Sequence, residues 1–272
     1  MARPKSEPKA RSTPQADAAS PGQTPKAAKA RREVATEASG TTGADELCSR
    51  LREDIVRCLL PPHSRLKFGE LQQRYSASVG TLREALLQLV AEGMVVSESF
   101  RGFCVAPISL DDLTDLTDLR IEFENRALRS AIQRGDDQWE ANIVAALHML
   151  NKIKNIGPNS SDSEMTEWEA RHGHFHETLL AACPSKRVMQ IRKNLYDQGR
   201  RYRNLALARS GTVDSHAYQH NELADLVLAR DSDAACTLMT QHILQASDNA
   251  AKMVERGLAM AGTDRSGSGR SK

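Results

Sequence analysis

Aromatic residues make up only 4% of this 272-residue chain. Sheets lean on aromatic and β-branched side chains, so the shortage argues against a sheet-dominated fold. No apolar run approaches the ~20 residues that a membrane-spanning helix needs, and Met1 is not followed by the apolar core of a secretory leader. The five cysteines, at 48, 58, 104, 183 and 236, are far apart and include no CxxC pair. They read as reduced packing residues of a cytoplasmic protein. Catalytic signatures are also missing. His172-Gly-His-Phe-His176 has no glutamate between its outer histidines, and no Ser/His/Asp or Cys/His arrangement is evident. A metal-dependent hydrolase with Glu177 or Glu222 as its base is a remote alternative, and the chain reads as a non-enzyme.

What is plentiful is Leu, Ala, Arg and Glu, all good helix formers. The fold class expected is mainly α. A hydrophobic content of 40% and a charged content of 26% suit a soluble protein, and the length allows two modest domains. Residues 1–43 hold eight Lys/Arg against four Asp/Glu among many Pro, Ser, Thr, Ala and Gly. Too little apolar surface offsets the entropy of ordering there, so a disordered basic tail is expected. It serves either as a solvated linker or as an arm that tracks phosphates. A second tail is expected over 256–272.

Between the tails the pattern changes at residue 107. In the segment 44–107, Leu47, Leu51, Ile55, Cys58 and Leu59 recur at helical spacing until Pro61-Pro62. A short second helix packs through Leu71 and Tyr75. After a tight turn comes a third helix with Ser78 as N-cap, an apolar face of Leu82, Ala85, Leu86 and Leu89, and Gly93 as C-cap. Two β-prone pieces, Met94–Ser97 and Phe103–Ala106, flank a turn with Gly102. Three helices and a hairpin make a winged helix-turn-helix. A recognition helix enters the major groove by its N-terminal end, where Ser78, Gly80 and Thr81 keep the backbone close to DNA. Arg83 then reaches a base edge, best a guanine. Arg101 and Gly102 lie on the wing, with Lys67 and Arg74 as further backbone contacts. This segment carries eight basic and eight acidic residues, so any affinity for DNA depends on where its charges lie.

Ser78-Val79-Gly80-Thr81-Leu82-Arg83-Glu84-Ala85-Leu86, then Glu92-Gly93 and Arg101-Gly102-Phe103, resemble the DNA-binding domain of GntR-type bacterial regulators. Where the family has its first recognition-helix arginine, this chain has Val79. The resemblance implies binding to double-stranded DNA, as a homodimer on an inverted-repeat operator.

Residues 108–255 read as an all-α bundle of about six helices, the first capped by Ser109 with Asp112 at its third position. His172 and His176 are four apart and share one helix face. His220 and His242 fall on two later helices. The four imidazoles either converge on one metal or simply hydrogen-bond, and spacing does not choose. His148, His174 and His216 fall at other angles. Arg120 either pairs with Glu124 or is left for a ligand. Arg200, Arg201 and Arg203 read as a solvated face.

Leu119-Arg120-x3-Glu124, Phe175-His176, His220 upstream of Arg230-Asp231, and Gln241-His242-Ile243 resemble the FCD effector domain of the FadR subfamily of GntR regulators. In its metal-binding members these histidines are ligands, together with an Asp or Asn where this chain has His172. The resemblance implies a divalent transition metal, zinc or nickel, on His172, His176, His220 and His242. It further implies a small carboxylate or dicarboxylate effector gripped by Arg120, as in branches that answer to glutarate. A regulator whose signal is the metal itself is the competing reading.

Overall fold

The computed structural model describes residues 43–99, 101–153, 156, 160–210 and 217–267. Side chains are described throughout except at 206–210, 217 and 256–267. The expected basic tail lies outside these residues, apart from Gly43.

Helix α1 (Gly43–Val56) buries Leu47, Leu51 and Ile55 on one stripe, as its periodicity requires. It stops well before the prolines. Cys58 takes a left-handed conformation, φ 58°, and the amides of Leu59 and Leu60 bond back to the Asp54 carbonyl. The chain turns away there, so Leu59 is left 52% exposed and does not continue the apolar stripe. Strand β1 (Arg65–Leu66) follows, a two-residue piece too short to leave a pattern. Then come α2 (Phe68–Tyr75) and α3 (Val79–Ala91), joined by a turn with Ser76 in the left-handed region. Ser78 caps α3 by accepting from the Thr81 amide. Gly93, at φ 73°, reverses the chain into β2 (Val95–Glu98), which pairs antiparallel with β3 (Gly102–Val105). The sheet order is β1-β3-β2. One apolar cluster unites Leu51, Ile55, Leu71, Leu82, Leu86 and Val105.

Ser109 caps α4 (Leu110–Arg134) through the Asp112 amide. The bundle continues with α5 (Asp137–Asn151), α6 (Asp162–Leu180), α7 (Lys186–Ser210), α8 (Ala217–Leu228) and α9 (Ser232–Gly267). Helix α6 starts on a complete capping box, Ser161 with Glu164. A second core holds Leu128, Ile143, Phe175, Leu179, Leu223 and Ile243. The final helix continues past residue 255 to Gly267, so the segment from 256 to 267 is helical rather than a loose tail. Its sequence to Ala261 is rich in Ala, Met and Leu and free of proline, which favours continuation. All five cysteines are unbridged, and all but the half-buried Cys58 are buried. No helix among the described residues is long and apolar enough to cross a membrane.

Candidate metal centre and nucleic-acid interface

The inner face of α6 carries Glu169, His172, Phe175, His176 and Leu179, all buried. The 3–4 spacing that buries the apolar members also carries the two histidines inward. His220 from α8 and His242 from α9 meet them, and one ring nitrogen from each of the four lies within 4.8 Å of the others. Ring centroids are 4.5 Å apart for His172 and His176 and 4.9 Å for His220 and His242. The Nε2 atoms of His172 and His176 stand 3.2 Å apart. Two nitrogens on one tetrahedral zinc are about 3.3 Å apart, given Zn–N bonds of about 2.0–2.1 Å. The donor set therefore fits a late transition metal.

The surroundings fit as well. Gln219 faces Nδ1 of His242 at 3.0 Å, which orients that ring and leaves its Nε2 for a ligand bond. Trp168 stacks on His172 at 4.7 Å between centroids. Nδ1 of His172 is buried without a hydrogen-bond partner among the described residues. Burial holds the imidazoles of His172 and His176 well below their usual range near 6.5, and the neighbouring histidines and Arg203 push the same way. Both are neutral at pH 7, the state in which imidazole binds metal.

Beside the histidines, α7 contributes a stripe of Arg192, Tyr196, Gly199 and Arg203. Three guanidiniums surround the Tyr196 ring, those of Arg192, Arg120 and Arg203, at 4.6, 5.5 and 5.8 Å from its centroid. Two have carboxylate partners. Arg192 donates to Glu124 at 2.9 Å, and Arg203 donates to both oxygens of Glu169 at 3.0 and 2.8 Å. Arg120 makes no ion pair with Glu124, whose Oε1 accepts from Arg192 and whose Oε2 has no hydrogen-bond partner among the described residues, although that carboxylate acts on the guanidinium electrostatically. Nε of Arg120 is buried with no hydrogen-bond partner among the described residues, and burial lowers its pKa. A crevice between α4, α7 and α9 leads to it, lined by Leu116, Thr117, Arg120, Gly199, Arg203 and Ser247. A side-chain Cβ on Gly199 would stand 2.7 Å from Nη1 of Arg120, so the glycine makes room for the guanidinium.

Arg200, Arg201 and Arg203 are not a solvated face. Arg201 is buried and donates to the Ala106 carbonyl at 2.6 Å. Arg200 joins Glu169 at 3.2 Å to Glu53 of α1 at 3.3 Å. Sequence reasoning missed Arg192, Tyr196 and Glu169. The 4–3–4 spacing of Arg192, Tyr196, Gly199 and Arg203 was the available signal. His148 and His174 are exposed and away from the cluster, and His216 lies outside the described residues.

In the headpiece, Ser78, Gly80, Arg83, Arg101 and Gly102 are all exposed and Thr81 half-buried. Oγ of Ser78 and Oγ1 of Thr81 are 2.9 Å apart. Gly102 has φ 87°, a turn conformation that a side chain would strain. Arg83 and Arg101 have no ion-pair partner among the described residues. Lys67 and Arg74 do have partners, Glu70 at 2.8 Å and Asp54 at 2.7 Å. These pairs compete with any phosphate contact by the two cations.

Residues 44–105 match the family described as bacterial regulatory proteins, gntR family, and residues 115–245 match the FCD domain. The HTH-type transcriptional repressor GlaR of Escherichia coli K12 is 38% identical over 198 residues, 71% of this chain and 89% of that one. The chain belongs to the GntR family. A further relative, the HTH-type transcriptional regulator BphR of Paraburkholderia xenovorans, is 39% identical over 194 residues, 71% of this chain and 79% of that protein. Among solved structures, E. coli McbR/YncC superposes with a TM-score of 0.64 at 19% identity, covering 78% of this chain and 97% of that one. A GntR regulator from Rhodococcus sp. RHA1 gives 0.61 at 20% identity, covering 76% and 96%. These two share the fold. The chain is thus a transcriptional regulator of the GntR/FCD type and not an enzyme. Its helix-turn-helix implies DNA, and its FCD domain implies a small-molecule effector.

Proposed function

We propose that this protein is a cytoplasmic, homodimeric repressor whose hold on an inverted-repeat operator is set by a small carboxylate bound at a metal centre. Residues 44–107 form the DNA-binding unit and 108–255 the effector unit. His172, His176, His220 and His242 hold the metal, zinc or nickel by the softness of four imidazoles. A bound metal supplies a Lewis-acidic position for one carboxylate. Arg120 supplies a guanidinium for the same or a second carboxylate.

One observation carries this reading. Around Tyr196 the guanidiniums of buried Arg192 and half-buried Arg120 and Arg203 face two carboxylates, and Arg120 is the one with no ion pair among the described residues. Burying a charge without a counterion is expensive, and a divalent metal alongside adds to the imbalance. An anionic ligand relieves both. That favours an acid sensor over a regulator signalled by metal alone, which would leave Arg120 without a role. In the headpiece, Arg83 reads a guanine, Ser78, Gly80 and Thr81 approach the backbone, and Arg101 and Gly102 contact the duplex from the wing. One such unit reads few base pairs, so two-fold pairing of chains is expected and sedimentation at micromolar concentration tests it.

The deciding experiment measures operator affinity of the metal-free and zinc-loaded protein against a panel of mono-, di- and tricarboxylates. Acid-dependent release only when metal is present supports the proposal. Full release by metal with no acid added assigns the signal to the metal.

A further inference from the structure

The outward face of α3 is short of polar side chains. Leu82, Ala85, Leu86 and Leu89 are buried, which leaves Val79, Gly80, Arg83, Glu84, Leu87 and Ala91 turned out. Val79 is 49% exposed and Leu87 53% exposed. Val79 belongs to neither apolar core and stands in the first helical position. A β-branched residue is not chosen there for helix propensity. The hydroxyls of its neighbours are engaged with each other, since Ser78 caps the Thr81 amide at 3.1 Å and meets Oγ1 of Thr81 at 2.9 Å. On the first turn, Val79 and Gly80 alone have no duty within the fold. Gly80 is open on its outer side, with nothing nearer a built Cβ than Oγ of Ser78 at 3.7 Å.

We propose that Val79 reads the C5-methyl group of a thymine in the operator. The inference rests on the DNA-binding reading above and names a base that Arg83 does not read. The major groove offers apolar contact at one place only, the thymine methyl. Val79 and Arg83 are four residues apart, one turn, so they lie on one face and about 6 Å apart along the axis. Base pairs stack about 3.4 Å apart. The thymine therefore lies within two base pairs of the guanine that Arg83 contacts. Leu87 stands two turns behind Val79, about 12 Å back from the entering end. It is too far back along the helix to share that base.

The test isolates one methyl group. The full-length, zinc-loaded protein selects duplexes from a random pool. The guanine whose replacement no longer matters to Arg83→Ala fixes the register. Each thymine of the selected duplex is then replaced by deoxyuridine, which removes only the methyl. Wild type should bind one uracil duplex about fourfold more weakly per half-site, the fold-change of roughly one buried methyl, at a thymine within two base pairs of that guanine. Val79→Ala, with a shorter side chain, should lose most of the preference for thymine over uracil, and Val79→Ile should keep it. Val79 is on the surface, so unchanged thermal unfolding should accompany both variants.

Two results overturn the inference while leaving the DNA-binding reading intact. One is indifference of the wild type to uracil throughout that window. The other is an undiminished preference for thymine in Val79→Ala. If the selection enriches no sequence, the DNA-binding reading fails and this inference with it.

Discussion

Gly199→Ala should make the protein more stable and a poorer sensor. Gly199 is in the middle of α7, where exchanging glycine for alanine gains about 1 kcal/mol of helix stability. The added Cβ would meet Nη1 of Arg120 at 2.7 Å and its Cδ and Cζ at 3.2 Å, where ordinary contact begins at 3.4 Å. The obstructing atoms are the far end of a flexible side chain, so the guanidinium moves by about 0.7 Å and the helix stays. Stability should rise, lifting the melting temperature by about 2–4 °C for a domain of this size. The displaced Arg120 loses its aim at the effector. A hydrogen bond to a charged partner is worth about 1.5–3 kcal/mol, so acid affinity should fall roughly 10- to 100-fold. The histidines are untouched, and metal content should not change. Isothermal titration with the carboxylate panel, elemental analysis and a thermal melt read all three quantities on one sample. Acid affinity equal to wild type would remove Arg120 from the effector site. Loss of metal together with acid would show that the two subsites are not separable in this way.

Elemental analysis of His176→Ala and His220→Ala, purified without chelators beside the wild type, should show metal in the wild type and little in either variant; retained metal in both would place the site elsewhere. Arg83→Ala should cost about 1–3 kcal/mol of operator affinity and relax one operator position; unchanged binding would mean that α3 does not enter the groove as described. Acid should weaken the metal-free protein. Folding holds His172 and His176 below their ordinary range near 6.5, so between that value and their folded range the unfolded chain carries the extra protons. Their contribution to stability is therefore complete above about pH 6.5 and fades as pH falls below it, at up to about 1.4 kcal/mol per pH unit for each histidine. Urea midpoints in chelator at pH 7.5, 6.0 and 5.0 measure this, and a midpoint that does not move would contradict the burial argument.

The headpiece was legible because its signals are local. Ser78 and Gly93 bound α3 within a residue of where a cap and a glycine turn must stand, and Leu82, Leu86 and Leu89 repeat at the helical period. Ser109 marks the start of α4 in the same way. The histidine pair at 172 and 176 was legible for the same reason; His220 and His242 stood out as candidates on two later helices, and the family resemblance chose between a shared metal and simple hydrogen bonding. What local pattern could not reveal was pairing across the chain. Glu53 and Arg200 meet across 147 positions, and Glu124 chooses Arg192, 68 positions away, over Arg120 four residues before it. An arginine cluster in a sequence has the same composition whether it faces water or a buried glutamate and a backbone carbonyl. The early end of α1 was hidden by a different cause. A left-handed Cys58 ends the helix without glycine, whereas Pro61-Pro62 advertised a later stop.

On the proposed reading, such long-range contacts offer a route from the ligand to the DNA. Helix α7 carries on one side the stripe of Arg192, Tyr196, Gly199 and Arg203 that lies beside the proposed effector position. Its other side holds the headpiece. Gln198 donates to the Glu92 carbonyl at 3.0 Å, Arg201 to the Ala106 carbonyl at 2.6 Å, and Asn204 to the Val56 carbonyl at 3.0 Å. The carbonyl of Glu92 follows the recognition helix directly, and Ala106 follows the wing. Tyr202 donates to Asp112 at 2.5 Å and accepts from the Ser109 amide at 3.2 Å, which fixes the joint where α4 begins. These bonds are mostly made to backbone and spread along α7, so the headpiece has little freedom to move apart from that helix. On the proposed reading, a ligand drawing Arg203 inward acts on a helix bonded to the end of α3, the wing and the linker together, so a shift of α7 is felt at those three points. For a dimer that must match a fixed half-site spacing, a differential affinity of about 1.4 kcal/mol between two settings of α7 shifts their ratio tenfold.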